Sequence, residues 1–198
     1  MTVGKALAIG CGALVLVVGL TLGDTGRVAI TGGSQAGSIA CTGLSGTMKF
    51  DPPLTSNGTA PEVAPIRLTM THCTVSAGGP GPRTGHGTAA IPMRTNNCNN
   101  LALKSKTAVS FVIRWSPTSD GSSSVRFVGF APTKTNDTGF RLGGTKTTVR
   151  GSYPGDNHGA SSKATITSTT TPSKLAGACA SASGLEVLKI ESGSLELK

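Results

Sequence analysis

Three observations predict an all-β fold, an antiparallel β-sandwich or barrel-like domain with one short helix near the C-terminus. From Ser38 onward the apolar residues recur with a period of two rather than 3.6, the signature of half-buried strands. Gly, Pro, Asn and Asp punctuate that alternation as turns would. Finally, 28 Gly with abundant Thr and Ser, and only 14% charged side chains, disfavour long helices. Gly costs about 1 kcal/mol against Ala inside a helix, and Thr and Ser offer the backbone competing hydrogen bonds, so a helix bundle or coiled coil does not fit. Disorder fits poorly too, because 37% hydrophobic residues and low charge are not the composition of an unfolded tail. A length of 198 residues accommodates one domain, expected at 37–198 behind an N-terminal leader at 1–36.

The leader is read from Lys5, which precedes an uncharged stretch from Ala6 to Gly23 with its apolar centre at Ala13 to Leu20. A cation, a hydrophobic run and a small-residue site are the parts of an export signal. Ser34-Gln35-Ala36 puts small residues at the −3 and −1 positions, so cleavage is expected after Ala36. An uncleaved signal anchor is the alternative, because a run of that length can just span a bilayer. Cys11 invites a lipoprotein reading through Leu7-Ala8-Ile9-Gly10-Cys11, but the main apolar run follows this cysteine.

The strands follow in order. Ile39 to Phe50 carries Cys41 and is expected to end at Asp51-Pro52-Pro53. In Val63 to Val75, Ile66, Leu68 and Met70 share one face, while Arg67, Thr69 and Thr71 share the other; His72 and Cys73 lie at its end. A Gly/Pro-rich loop at Ala77 to Pro82 leads to Gly87 to Met93. Ala108 to Ser116 alternates most clearly, with Val109, Phe111, Ile113 and Trp115 expected in the core. Ser119-Asp120-Gly121-Ser122 makes a hairpin loop, and Ser124 to Ala131 returns. A short strand at Phe140 to Leu142 is followed by Lys146 to Tyr153 and Ser161 to Thr170, both expected to be exposed or edge strands. Thr171 can cap a short helix at Pro172 to Ala180, with Pro172 in the first helical position. A last strand begins after Gly184 and carries Leu185, Val187, Leu188 and Ile190, then Leu195 and Leu197 beyond Ser192-Gly193.

With Cys11 set aside, Cys41, Cys73, Cys98 and Cys179 form an even set without CxxC spacing. Disulfides are expected, Cys41 with Cys73 and Cys98 with Cys179, which places the chain in an oxidising, extracytoplasmic compartment. Scattered His72, His86 and His158 supply no zinc ligand pair.

Catalytic, cofactor-binding and metal residues are expected to be absent. No GxSxG occurs. Asp120, Asp137 and Asp156 lie in turn-like sequence, and Glu186, Glu191 and Glu196 read as a solvated strand face rather than a carboxylate pair. Gly78 to Gly87 contains two prolines and no following helix, which removes the donors a phosphate cradle needs. Asp156-Asn157-His158 lacks the further ligands of a calcium loop. The net charge of +9 is spread without a run of three cations, and Trp115 and Tyr153 are the only aromatics besides Phe. That speaks against specific nucleic-acid binding, which stacks bases on exposed rings. Anionic cell-envelope polymers or lipid headgroups are the expected partners.

Several segments carry a resemblance: Ala40-Cys41-Thr42, Gly46-Thr47-Met48-Lys49-Phe50, Pro52-Pro53-Leu54, Asn97-Cys98, and Cys179 with Gly184-Leu185, Leu188-Lys189-Ile190 and Ser192-Gly193. The chain resembles small exported actinobacterial Gly/Thr-rich β-domain proteins of unassigned role. The resemblance implies a secreted or envelope-associated β-domain and brings no functional residues. The expected function is accordingly a structural or binding β-domain without catalysis. One alternative is a secreted hydrolase, which requires His72, His86 or His158 beside an Asp and a Ser in a concave pocket. Another is a cell-wall polysaccharide-binding module, which requires an exposed Trp115, whereas the alternation predicts that Trp115 is buried.

Overall fold

Alternation in the sequence decides which side of each strand is buried, and pairing then decides what the buried sides enclose. The structure, a computed structural model, describes residues 35–76, 81–101, 108–132, 138–143, 147–155, 158–168 and 170–198, with the side chains of 100, 130–146 and 172 excepted. The expected export segment, Cys11, Ser34, Asp137, Asp156 and Asn157 lie outside the described residues. The strands are β1 (Ile39–Leu54), β2 (Glu62–Val75), β3 (Thr84–Met93), β4 (Val109–Ser116), β5 (Ser122–Phe127), β6 (Gly129–Pro132), β7 (Thr138–Gly143), β8 (Thr148–Gly151) and β9 (Lys163–Ser168). After helix α1 (Pro172–Ala180) come β10 (Leu185–Ile190) and β11 (Ser192–Leu197).

All named strand pairs are antiparallel, and they form one sheet in the order β6-β7-β9-β11-β1-β2-β3-β4-β5-β8, with β10 also paired to β1. The sheet curls into a half-barrel. Between the two expected architectures, this is the barrel-like one. The chain itself links its two sides, since β5, next to the end strand β8, passes through Val128 directly into β6 at the opposite end of the order. The return expected as one strand over Ser124 to Ala131 is therefore divided at Val128, where the chain leaves β4 and β8 to pair with β7.

The concave side holds the core. Ile66, Ile113, Val125, Phe127, Leu188 and Leu197 are among its fully covered side chains. Burying such a side chain is worth roughly 1.5–3 kcal/mol, which makes this packing the main support of the sheet. Phe111 and Phe127 meet edge to face with centroids 5.9 Å apart, as expected for rings on facing strands of one hairpin.

Two expectations need correction. Asp51-Pro52-Pro53 does not end β1, which continues to Leu54. The prolines lie beyond Met48↔Ile66, the last β1–β2 pair, and within the register irregularity of the β1–β10 ladder between Lys49 and Leu54. Neither ladder needs their missing N–H groups. Further, β9 is no edge strand: it lies between β7 and β11 and buries Ala164, Ile166 and Ser168. β11 approaches it closely at Gly193, opposite Ile166, where a Cβ would collide with the Thr165 carbonyl. By contrast β8 does end the strand order.

Helix α1 has the expected bounds. Lys174 N–H donates to Thr171 Oγ1 at 3.4 Å, and Pro172 occupies the first turn. Both expected disulfides are present. Cys41–Cys73 joins directly paired residues of β1 and β2, with a Cα–Cα distance of 4.0 Å, and Cys98–Cys179 ties α1 to the segment after β3 at 6.2 Å. Among the described residues no helix is long and apolar enough to cross a membrane.

Candidate functional site

The residues that alternate with the core along β2, β3, β4, β5 and β8 point away from it, and the register makes neighbours of side chains far apart in sequence. One line across the strands reads Thr69, His86, Arg114, Ser122; the next reads Arg67, Thr88, Val112, Ser124, Arg150. A third carries Ser110, Arg126 and Thr148. Beyond Arg67 the second line continues through Thr47 of β1 to Lys189 of β10. Arg67, His86, Arg114, Arg126, Arg150 and Lys189 are all exposed. Neighbouring strands lie about 4.8 Å apart and alternate residues about 6.8 Å apart, so β2 to β8 present four guanidiniums and an imidazole within roughly 19 by 14 Å.

Hydroxyls fill the spaces between these cations, with Thr69 Oγ1 3.5 Å from His86 Nδ1. Among the described residues no carboxylate forms an ion pair with the four arginines. Lys163 of β9 and the C-terminal Lys198 instead pair with Glu196 of β11, at 3.4 and 2.9 Å. They hold the Glu196 carboxyl below its ordinary range, Lys198 contributing most. Asp120, beside this face in sequence, accepts from Ser119 through Oδ1 and has its Oδ2 buried. Among the described residues the arginines of the outer face thus have no carboxylate partner, and a basic patch of this kind attracts oxyanions. No basic run marks it in the sequence. The signal available there was that Arg67, Arg114 and Arg126 each occupy the polar phase of an alternating strand.

The inner side of the same strands contains a buried polar and aromatic cluster. Trp115 Nε1–H donates to Ser123 Oγ at 2.8 Å, and Ser123 in turn donates to the Ser152 carbonyl. Tyr153 packs edge to face on Trp115 with centroids 5.5 Å apart. Trp115 is 2% and Tyr153 3% exposed, so neither offers a ring to a sugar or a base. Burial and the nearby Asp120 push the Tyr153 hydroxyl up to about 12. The cavity of about 10 Å³ between Leu44, Leu68, Met70, Phe111, Ile113 and Leu195 is the size of a single water and takes no ligand.

The structure does not bring the histidines together. His86 lies on the outer face; His72 sits in β2 at φ 52° with Nδ1 3.1 Å from Thr71 Oγ1; His158 occupies a turn at φ 50°. No Asp–His–Ser arrangement is present among the described residues, and no group of His, Cys, Asp and Glu there could hold a metal ion. Sequence reading passed over Glu62, which is 4% exposed and accepts from Asp51 N–H at 3.0 Å, with its second oxygen unpartnered. Burial raises its pKa, the Asp51 carboxylate raises it further, and the Asp51 hydrogen bond opposes both. Asn96, also buried, ties β1 to the segment before β2 by donating to Pro53 O at 2.9 Å and accepting from Ala60 N–H at 3.0 Å.

No protein-family model, curated protein or solved structure matches the chain.

Proposed function

We propose that the protein is an exported or envelope-associated β-domain that acts by binding or as a structural element, without catalysis. Its partners are anionic cell-envelope polymers or lipid headgroups. The observation that carries this reading is the outer face, where Arg67, Arg114, Arg126 and Arg150 stand without carboxylate partners among the described residues. Two disulfides fit an oxidising compartment. In this reading residues 1–36 are the export signal or anchor and 37–198 the working domain, and the actinobacterial resemblance supplies its setting. Neither alternative gains support: the described histidines are dispersed, and Trp115, the ring on which a sugar-stacking module would hold its ligand, is buried.

Cell fractionation with N-terminal sequencing tests the reading. Recovery outside the cytoplasm supports it, with a start at Gly37 indicating free release and an intact Met1 indicating retention. Recovery as a reduced cytoplasmic protein overturns it. The cut position has a structural correlate. Tyr153 N–H donates to the Gln35 carbonyl at 2.7 Å and Gly155 N–H to the Gly37 carbonyl at 3.0 Å. Cleavage after Ala36 removes the first bond and keeps the second.

A further inference from the structure

We infer that the outer face of β2, β3, β4, β5 and β8 is the binding surface, and that its occupant is a linear acidic polysaccharide. The inference rests on the envelope reading and adds the site and the ligand class. Three features favour this occupant. The patch cations between β2 and β8 are arginines, with the His86 imidazole beside them, and the guanidinium fork matches planar oxyanions in two-point hydrogen bonds. Between them stand Thr69, Thr88, Ser110, Ser122, Ser124 and Thr148, which are donors and acceptors for the hydroxyls of a sugar chain. The line from Arg67 through Thr88, Val112 and Ser124 to Arg150 crosses five strands without interruption, so a polymer lying along it meets a cation at each end and more on either flank. Charge and hydroxyl pattern therefore complement a chain whose repeating units carry both.

Competing polyanions fit less well. Nucleic acid needs stacking platforms, and the single Trp and single Tyr are both buried. A membrane surface is gripped by apolar or aromatic side chains beside the cations. The exposed large apolar side chains among the described residues are Val63, at the start of β2, and Val187, on β10.

The test uses the oxidised protein and polygalacturonate as probe, with neutral dextran, single-stranded DNA and phosphatidylglycerol vesicles as comparisons. Expected is binding to polygalacturonate that weakens as salt is raised, no binding to dextran, and weaker binding to DNA and vesicles. The triple variant Arg67→Ser, Arg114→Ser, Arg126→Ser should bind at least tenfold more weakly. Lys163→Ser, Lys174→Ser, Lys198→Ser loses the same formal charge elsewhere and should bind within about twofold of the parent. Retained blue-shifted emission from Trp115 reports that each variant is folded. Independently of any variant, polygalacturonate should protect Arg67, Arg114, Arg126 and Arg150 of the native protein from arginine-specific dicarbonyl reagents.

The inference is overturned by absent binding, by equal losses in the two triple variants, by unprotected arginines, or by tighter binding to DNA or vesicles. Those outcomes leave the envelope reading standing, whereas recovery from the cytoplasm removes the reading whatever the binding result.

Discussion

At Trp115 a single residue shows how far local pattern reaches. Its alternation with Ser110, Arg114 and Ser116 sends the ring inward, but what receives it is set by pairing. Gly85 is its cross-strand partner, and a Cβ there would come within 2.7 Å of the ring carbons. Gly85→Ala is expected to displace the indole and to cost about 1–3 kcal/mol, the usual range for overpacking. Urea unfolding followed by the emission of the single tryptophan would show it, and an unchanged midpoint would contradict the packing. Tyr153 offers a second check because it is the single tyrosine. Its hydroxyl is raised from 10.0 to about 12, so the folded state holds that proton more tightly than the unfolded chain. The associated stability is complete below pH 10 and is lost as pH rises towards 12. Absorbance titration should find the phenolate forming near 12 or on alkaline unfolding, and a midpoint at 10.0 would be incompatible with burial. For Glu62 the raised pKa has the same sign, so its contribution diminishes as pH climbs above 4.5. Glu62→Gln keeps a carbonyl acceptor for Asp51 N–H and removes the charge. It should raise stability at neutral pH and leave it unchanged in acid, as read from urea midpoints at pH 3 and pH 7.

Elements differ in what holds them. Cys41–Cys73 reinforces β1 and β2, which are already held by a ladder running from Ile39↔Val75 to Met48↔Ile66. Cys98–Cys179 spans 81 residues and anchors α1, which has no ladder of its own. Chain-entropy arguments credit a loop of that length with roughly 4–5 kcal/mol and the 32-residue loop with roughly 3–4. Replacing Cys98 and Cys179 by Ala should therefore lower the urea midpoint more than replacing Cys41 and Cys73, and the reverse order would show that the helix is not held through its disulfide. The cap of α1 gives a finer test: Thr171→Ala removes the acceptor for Lys174 N–H and should cost about 1 kcal/mol. Helix bounds were legible in the sequence because caps and Pro172 act locally. The interior place of β9 was not, because its Thr and Ser residues fit a solvated edge as well as a tightly packed interior.

Over the whole molecule the four patch arginines and the three C-terminal glutamates occupy different parts of the chain. Glu186, Glu191 and Glu196 follow α1 at the C-terminal end, while Arg67, Arg114, Arg126 and Arg150 gather on β2, β4, β5 and β8. Read along the chain, the charge looks diffuse, since these four arginines are separated by 47, 12 and 24 positions. The alternating pattern by itself determined that the protein is β-rich, that Trp115 lies inside and that Arg67, Arg114 and Arg126 lie on the polar side of their strands, because facing is a property of neighbouring residues. It also favoured the two cysteine pairs. Only the tertiary structure decided that the sheet curls into one half-barrel, that β9 is interior and that the arginines share a patch. Register and strand order are set by contacts between distant segments, where the sum of side-chain packing across the sheet outweighs anything a local window contains.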